Sequence, residues 1–250
     1  CGDAGVLGVK VRITLRLIKR PMHRATCSFG FDDFGGLAHG MAAAAREGVV
    51  DTNFGLDPKL QQGQLGGTDG AAMKQAAIAV FKSSHNVFDG LFQLIKMGIA
   101  GKSFLAGYDY SAHFSIDGYS RAEVAHKLAS VRKAVATHGT EIANTMPTVL
   151  MAMPFIPLYP ILGPQGQRWV PMHGIMPFSK LVAFNDKLDL LYASYADRML
   201  AAKVEKAAMF TSISTTGFLF EPVFYWEDDR TVFHKRYLPQ EYLDVLPEYP

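Results

Sequence analysis

Hydrophobic and polar positions alternate with period two from Val9 to Leu17. Val9, Val11, Ile13, Leu15 and Leu17 fall on one face and Lys10, Arg12, Thr14 and Arg16 on the other. The spacing predicts a half-buried strand, entered through Gly2, Gly5 and Gly8 and closed by Lys19-Arg20-Pro21. Residues 25–31 predict a second, short strand, and the Ala-rich run Phe34–Glu47, stopped by Gly48, a helix. Helical composition returns over Met73–Lys82 and over Val87–Ile99, where Asn86 can cap and Asp89 sits in the first turn. Phe104–Ile116 reads as a long strand, with Phe104, Ala106, Tyr108, Tyr110, Ala112 and Phe114 offset from Leu105, Asp109 and His113.

Ser120-Arg121-Ala122-Glu123 is a capping box, in which hydroxyl and carboxylate each satisfy an orphan amide of the first turn, with Tyr119 and Val124 in staple positions. Val124, Leu128, Val131 and Val135 then form a stripe of helical period that His138-Gly139 ends. Arg168–Ile175 predicts a strand, and Ser179 a cap for a long helix carrying Leu181, Phe184, Leu188, Leu191 and Tyr195. Ala208–Trp226 is again strand-like. The long connections and aromatic, alternating strands point to an α+β fold, an antiparallel sheet with helices on one face.

Composition narrows the function classes without choosing one. A chain of 250 residues with 49% apolar side chains buries a sizeable core, and a net charge of +2 from dispersed basic residues gives no nucleic-acid footprint. Cys1 and Cys27 form neither a metal nor a redox spacing, and the most apolar run, 146–162, is cut by four prolines and is no transmembrane helix. The composition describes a soluble globular protein and leaves localisation open, a cytoplasmic one being the favoured expectation. The eight histidines show no metal-ligand spacing, so no metal site is expected. Leu65-Gly66-Gly67-Thr68-Asp69-Gly70 lacks the preceding strand and the Gly-Lys-(Ser/Thr) end of a phosphate loop and reads as a connection.

Gly5-Val6-Leu7-Gly8-Val9 with the following Lys-x-Arg-Ile-Thr-Leu-Arg-Leu resembles the segment that ends the flavin-binding domain of FAD-linked oxidases. These form the vanillyl-alcohol oxidase superfamily, with D-lactate dehydrogenases and glycolate oxidase flavoproteins. Phe29–Gly48, Arg168–Ser179 and Glu221–Trp226 resemble successive strands and helices of that family's C-terminal cap domain. The resemblance implies a fragment: residues 1–21 as the last strand of an FAD-binding domain, and 22–250 as a cap domain incomplete at its C-terminus. It implies FAD as cofactor, touched by the backbone at Gly8 and Val9 with Gly5 and Leu7 shaping the turn. The pyrophosphate loop and the family's closing segment have no counterpart here, so the chain alone is expected to bind FAD weakly or not at all.

A flavin ring accepts hydride at N5, so a cap must orient a substrate carbon and remove a proton from its hydroxyl. His173 is the first candidate for that proton. It shares a strand face with Trp169 and Ile175, which predicts an inward, neutral ring, and the bland alternative is a satisfied core histidine. Glu221, between Phe220 and Pro222, is the second, its alternative being a cross-sheet pair with a lysine or arginine. Arg168 could meet a substrate carboxylate, and Tyr225, Tyr108 and Tyr110 could line an aromatic pocket. The resemblance implies a small hydroxylated substrate, first a 2-hydroxy acid such as D-lactate or glycolate and second a para-substituted phenol. A non-catalytic α+β binding module is the reading from another class. The partners expected are that substrate and an electron acceptor (oxygen, a cytochrome or a quinone), with a homo-oligomer compatible.

Overall fold

A computed structural model describes residues 8–61, 70–83, 90–91, 94–95, 107–153, 162–163 and 165–249. One antiparallel sheet organises them. Its strands are β1 (His23–Phe31), β2 (Thr52–Leu56), β3 (Tyr110–Gly118), β4 (Thr140–Ile142), β5 (Arg168–Pro171), β6 (Gly174–Pro177), β7 (Glu205–Ile213) and β8 (Gly217–Trp226). The spatial order is β4-β1-β3-β2-β7-β8-β5, with β6 also on β8. The longer helices are α1 (Phe34–Arg46), α2 (Gly70–Ser83), α3 (Arg121–Val135), α4 (Thr145–Ala152) and α5 (Leu181–Ser194). Short α6 (Ala196–Ala201), α7 (Val232–Tyr237) and α8 (Gln240–Leu243) follow.

Register sorts the strand residues onto two faces. Cys27, Phe29 and Phe31 of β1 continue through Ala112 and Phe114 to Phe210, Phe218 and Phe220. On this face lie Leu37, Met41 and Ala44 of α1, Val131 and Val135 of α3 and Leu181 of α5, closing the main core. Each large side chain buried here contributes roughly 1.5–3 kcal/mol. Phe34, Phe210 and Phe220 meet tilted or edge-on at 5.0–5.5 Å, the arrangement the ring quadrupole favours. The α+β class and the antiparallel sheet are as the alternation predicts, but helices flank both faces of the sheet instead of one.

The second face is polar at its β1–β3 end. Ser28, Ser111, His113 and Ser115 are buried there. The α4 helix sits over this end: Thr148 Oγ1 lies 3.2 Å from Thr26 Oγ1, and Asn144 Nδ2 donates to the Thr26 carbonyl at 3.0 Å. In turn α2 packs on α4.

Several sequence expectations change. Residues 8–21 form no strand: among the described residues no neighbour pairs with them, and Val9, Val11, Ile13, Leu15 and Leu17 are 69–91% exposed. A half-buried strand exists only with a sheet to lie in, and its period alone cannot supply one. The strand expected from Phe104 starts at Tyr110, where pairing with Phe31 begins, and 104–106 lie outside the described residues. Of Val87–Ile99 only 90–91 and 94–95 are described, all four helical, and 65–69 are not described. Ser179 lies within a 3₁₀ turn, Phe178–Lys180, ahead of α5 instead of capping it. The run Ala208–Trp226 is a hairpin whose turn puts Ser214 at φ 55°, a left-handed conformation that a non-glycine residue adopts only at some cost.

Candidate functional site

Strand β8 carries the site because it is paired on both sides. Its inner neighbour β7 sets Met209 opposite Glu221 and Ala207 opposite Val223. On its outer side Pro171 faces Val223 and Gly174 faces Phe220, so the same register sets Met172 opposite Pro222 and His173 opposite Glu221. Proline has no N–H, and the Pro222 carbonyl, which accepts from Met172 N at 2.8 Å, is its one contribution to that rung. The ladder therefore breaks at Met172-His173, and the single strand expected over Arg168–Ile175 becomes β5 and β6.

At the break two candidate residues come together. His173 Nδ1 lies 3.5 Å from Glu221 Oε2, with side-chain exposures of 55% and 13%. His173 shares its face with Trp169 and Ile175 as expected, but the inward ring is corrected: the ring is exposed, as is Ile175, because no described helix covers this end of the face. Glu221 finds a histidine across the sheet in place of the expected lysine or arginine. Uncharged Met209, Thr211, Leu219 and Ile175 surround the pair on the same face.

The remaining candidates lie elsewhere. Tyr225 is four rungs along from the pair, opposite Trp169. Its phenol is raised above the ordinary range, first by burial, while a hydrogen bond from Trp169 opposes the shift. Beside Tyr225 and Trp226 a cavity of about 370 Å³ opens toward Gln165, Gln167, Met199 and Leu200. Arg168 points to the other face, where its Nη1 lies 3.2 Å from His234 Nδ1 and its Nε 3.3 Å from Asp228, so it does not reach His173. Tyr108 lies at the far end of the sheet with its ring against Gly30, where any Cβ would collide with it. Tyr110 packs on Phe34 in the main core, and burial pushes its phenol up to about 12.

Of the flavin contacts, Gly5 and Leu7 lie outside the described residues. Gly8 has φ +140° with nothing within 4 Å of where a Cβ would stand, and Val9 is 90% exposed. Among the described residues nothing builds a wall around either of them. Among the described residues no group of three or more His, Cys, Asp or Glu side chains can hold a metal.

One arrangement escaped the sequence reading. His113 is wholly buried with Ser28 Oγ 2.8 Å from Nδ1, Ser111 Oγ 3.1 Å from Nε2 and the Phe54 ring at 4.7 Å. Burial lowers its pKa to about 3, so the ring is neutral. The signal was the Ser111-x-His113-x-Ser115 run, polar on one face of a strand whose other face is apolar.

No protein-family model and no curated protein matches the chain. Among solved structures, alkyldihydroxyacetonephosphate synthase superposes with TM-score 0.55 and 11% identity, over 90% of this chain and 37% of that one. A second crystal form gives 0.53 and 12%, over 86% and 38%. The 4-ethylphenol oxidase of Gulosibacter chungangensis, complexed with isoeugenol, gives 0.45 and 8%, over 84% and 41%. At such identities the likeness to the synthase shows the fold alone, an antiparallel sheet flanked by helices. The chain spans a little over a third of the synthase's length.

Proposed function

We propose that this chain, with the cap-domain fold of FAD-linked oxidases, is the substrate-covering part of an FAD-dependent oxidoreductase. The observation that carries the proposal is the cross-strand pair His173–Glu221 on the solvent-exposed end of a sheet face. A dehydrogenation needs a base at the substrate hydroxyl, and an imidazole with a free ring nitrogen is a side chain that can take that proton. The flavin, when bound, supplies the hydride acceptor at N5. On this chain's side, His173 takes the hydroxyl proton as the carbon–hydrogen electron pair leaves and the C=O bond forms. Met209, Leu219 and Ile175 provide the apolar bed for the substrate, and the backbone at Gly8 and Val9 offers one flavin contact. Residues 1–21 then belong to the flavin-binding domain as its last strand.

Within this reading the substrate is a small hydroxylated molecule. A 2-hydroxy acid requires a cation for its carboxylate, and among the described residues on this face none stands beside His173, Arg168 being engaged on the other face. The uncharged surroundings favour the second reading, a para-substituted phenol. The test mixes the complete polypeptide of the reading frame anaerobically with D-lactate, glycolate and vanillyl alcohol while the visible flavin band is followed. Bleaching by vanillyl alcohol alone is the expected result. Bleaching by a hydroxy acid restores the first reading, and no bleaching by any of the three counts against the oxidoreductase.

A further inference from the structure

We infer that Glu221 is a positioning residue: it holds His173 as the Nδ1–H tautomer and so leaves Nε2 as the atom that takes the substrate proton. The inference rests on the oxidoreductase reading above for the identity of the reaction, but its physical content lies wholly within this chain.

Three observations carry it. The nitrogen that faces the carboxylate is Nδ1, at 3.5 Å from Oε2. A ring nitrogen in that position must carry its hydrogen, because a bare lone pair there would point at an oxygen that already bears negative charge. Glu221 is only 13% exposed, its rung neighbour on β7 is Met209 and its chain neighbours are Phe220 and Pro222. Among the described residues His173 Nδ1 is the group the structure sets against it, and a partly buried carboxylate is stabilised by a donor. Third, the ladder is broken where the pair sits. With no N–H at Pro222, the Met172-His173 backbone is less tightly tied to β8 than its neighbours on either side. The ring can therefore close the last ~0.6 Å to hydrogen-bonding distance when a substrate covers it.

The consequence is a division of labour. In water neutral histidine favours the Nε2–H form, which has no lone pair at Nε2 to offer. Glu221 reverses that preference, and its charge stabilises the imidazolium once Nε2 is protonated, as an oriented carboxylate does for other working histidines.

The tautomer is read directly. Long-range ¹H–¹⁵N spectra of the uniformly labelled 250-residue chain separate a protonated from a bare ring nitrogen. In the unchanged chain the expected pattern for neutral His173 is Nδ1–H with a bare Nε2. In Glu221→Leu, which suits the apolar setting, the expected pattern is mainly Nε2–H. An Nε2–H pattern in the unchanged chain, or the same pattern in both, overturns the inference, and backbone amide spectra of the two proteins establish that both are folded. In the complete flavoprotein, Glu221→Leu is expected to lower kcat about 10- to 100-fold with KM within about twofold. A rise in KM with kcat unchanged overturns the positioning role. If the unchanged flavoprotein oxidises no hydroxylated substrate, the reading of function fails while the tautomer result stands or falls by itself.

Discussion

At His113 two serine hydroxyls do for an imidazole what water does at the surface, while burial of the ring disfavours its charged form. The folded pKa of about 3 lies below the unfolded 6.5, so its contribution to stability is full above pH 6.5 and is lost as the pH falls toward 3. Asp57 acts with the opposite sign. Burial raises its carboxyl from 3.8 to about 6, against hydrogen bonds from Leu60 and Ala208, so its contribution is full below pH 3.8 and is lost as the pH rises through 6. Between about pH 4 and 6 the two slopes oppose each other, and the stability of the chain is expected to be nearly flat there. Asp57→Asn keeps the cap on Leu60 N, now at 2.8 Å, and removes the charge. It is expected to stabilise the chain at pH 7 by about 2 kcal/mol and to expose the His113 slope, so that the urea midpoint falls steadily from pH 6.5 to 4. A midpoint in Asp57→Asn that is as flat as in the parent would refute this pairing of opposed groups. Neither group was legible as a functional residue from sequence, since a titrating side chain announces itself by what buries it, and burial is a property of the register.

At the scale of elements, local chemistry explains what could be read. The capping box forms at Ser120: its hydroxyl accepts from Glu123 N at 3.1 Å, while the Glu123 carboxylate reaches back one residue further than expected, to Tyr119 N at 2.8 Å. The helix it starts buries Val124, Val131 and Val135 as their spacing predicts. Ser120→Ala is expected to cost about 1 kcal/mol, read as a shift in the urea midpoint with unchanged slope. What could not be read depends on partners distant in sequence. Three-residue β4 becomes a strand because β1 offers it an edge, and the β5/β6 break is written in Pro222, some fifty residues away. Pro222→Val supplies the missing donor to that rung. It is expected to add about 0.5–1.5 kcal/mol of stability and to slow amide exchange around Gly174. If exchange there is unaltered, the proline is not what breaks the strand. The same dependence explains the candidate site: His173 and Glu221 were each visible as candidates, but only the sum of the two registers makes them neighbours, and Arg168 could not be separated from them without it.

For the whole molecule, the contrast between residues 8–21 and the rest is the largest physical fact. From Met22, whose amide donates to Gly118 at 3.0 Å, the chain is held in the sheet; before it, Lys19 is tied to Tyr119, its carbonyl accepting from the hydroxyl and its ammonium lying over the ring. Five aliphatic side chains at period two in solvent represent surface that a sheet would bury, at roughly 1.5 kcal/mol or more for each. The stability of the sheet is therefore expected to depend little on this segment, and deletion of residues 1–18 is expected to leave the midpoint of thermal unfolding within about 2 °C. If the segment is the last strand of a flavin-binding domain, amides 9–17 exchange within seconds in the 250-residue chain and become protected by several orders of magnitude in the complete polypeptide of the reading frame. Rapid exchange in both would remove the strand from that domain, and with it the placing of Gly8 and Val9 against the flavin, while leaving the His173–Glu221 pair and its sheet untouched.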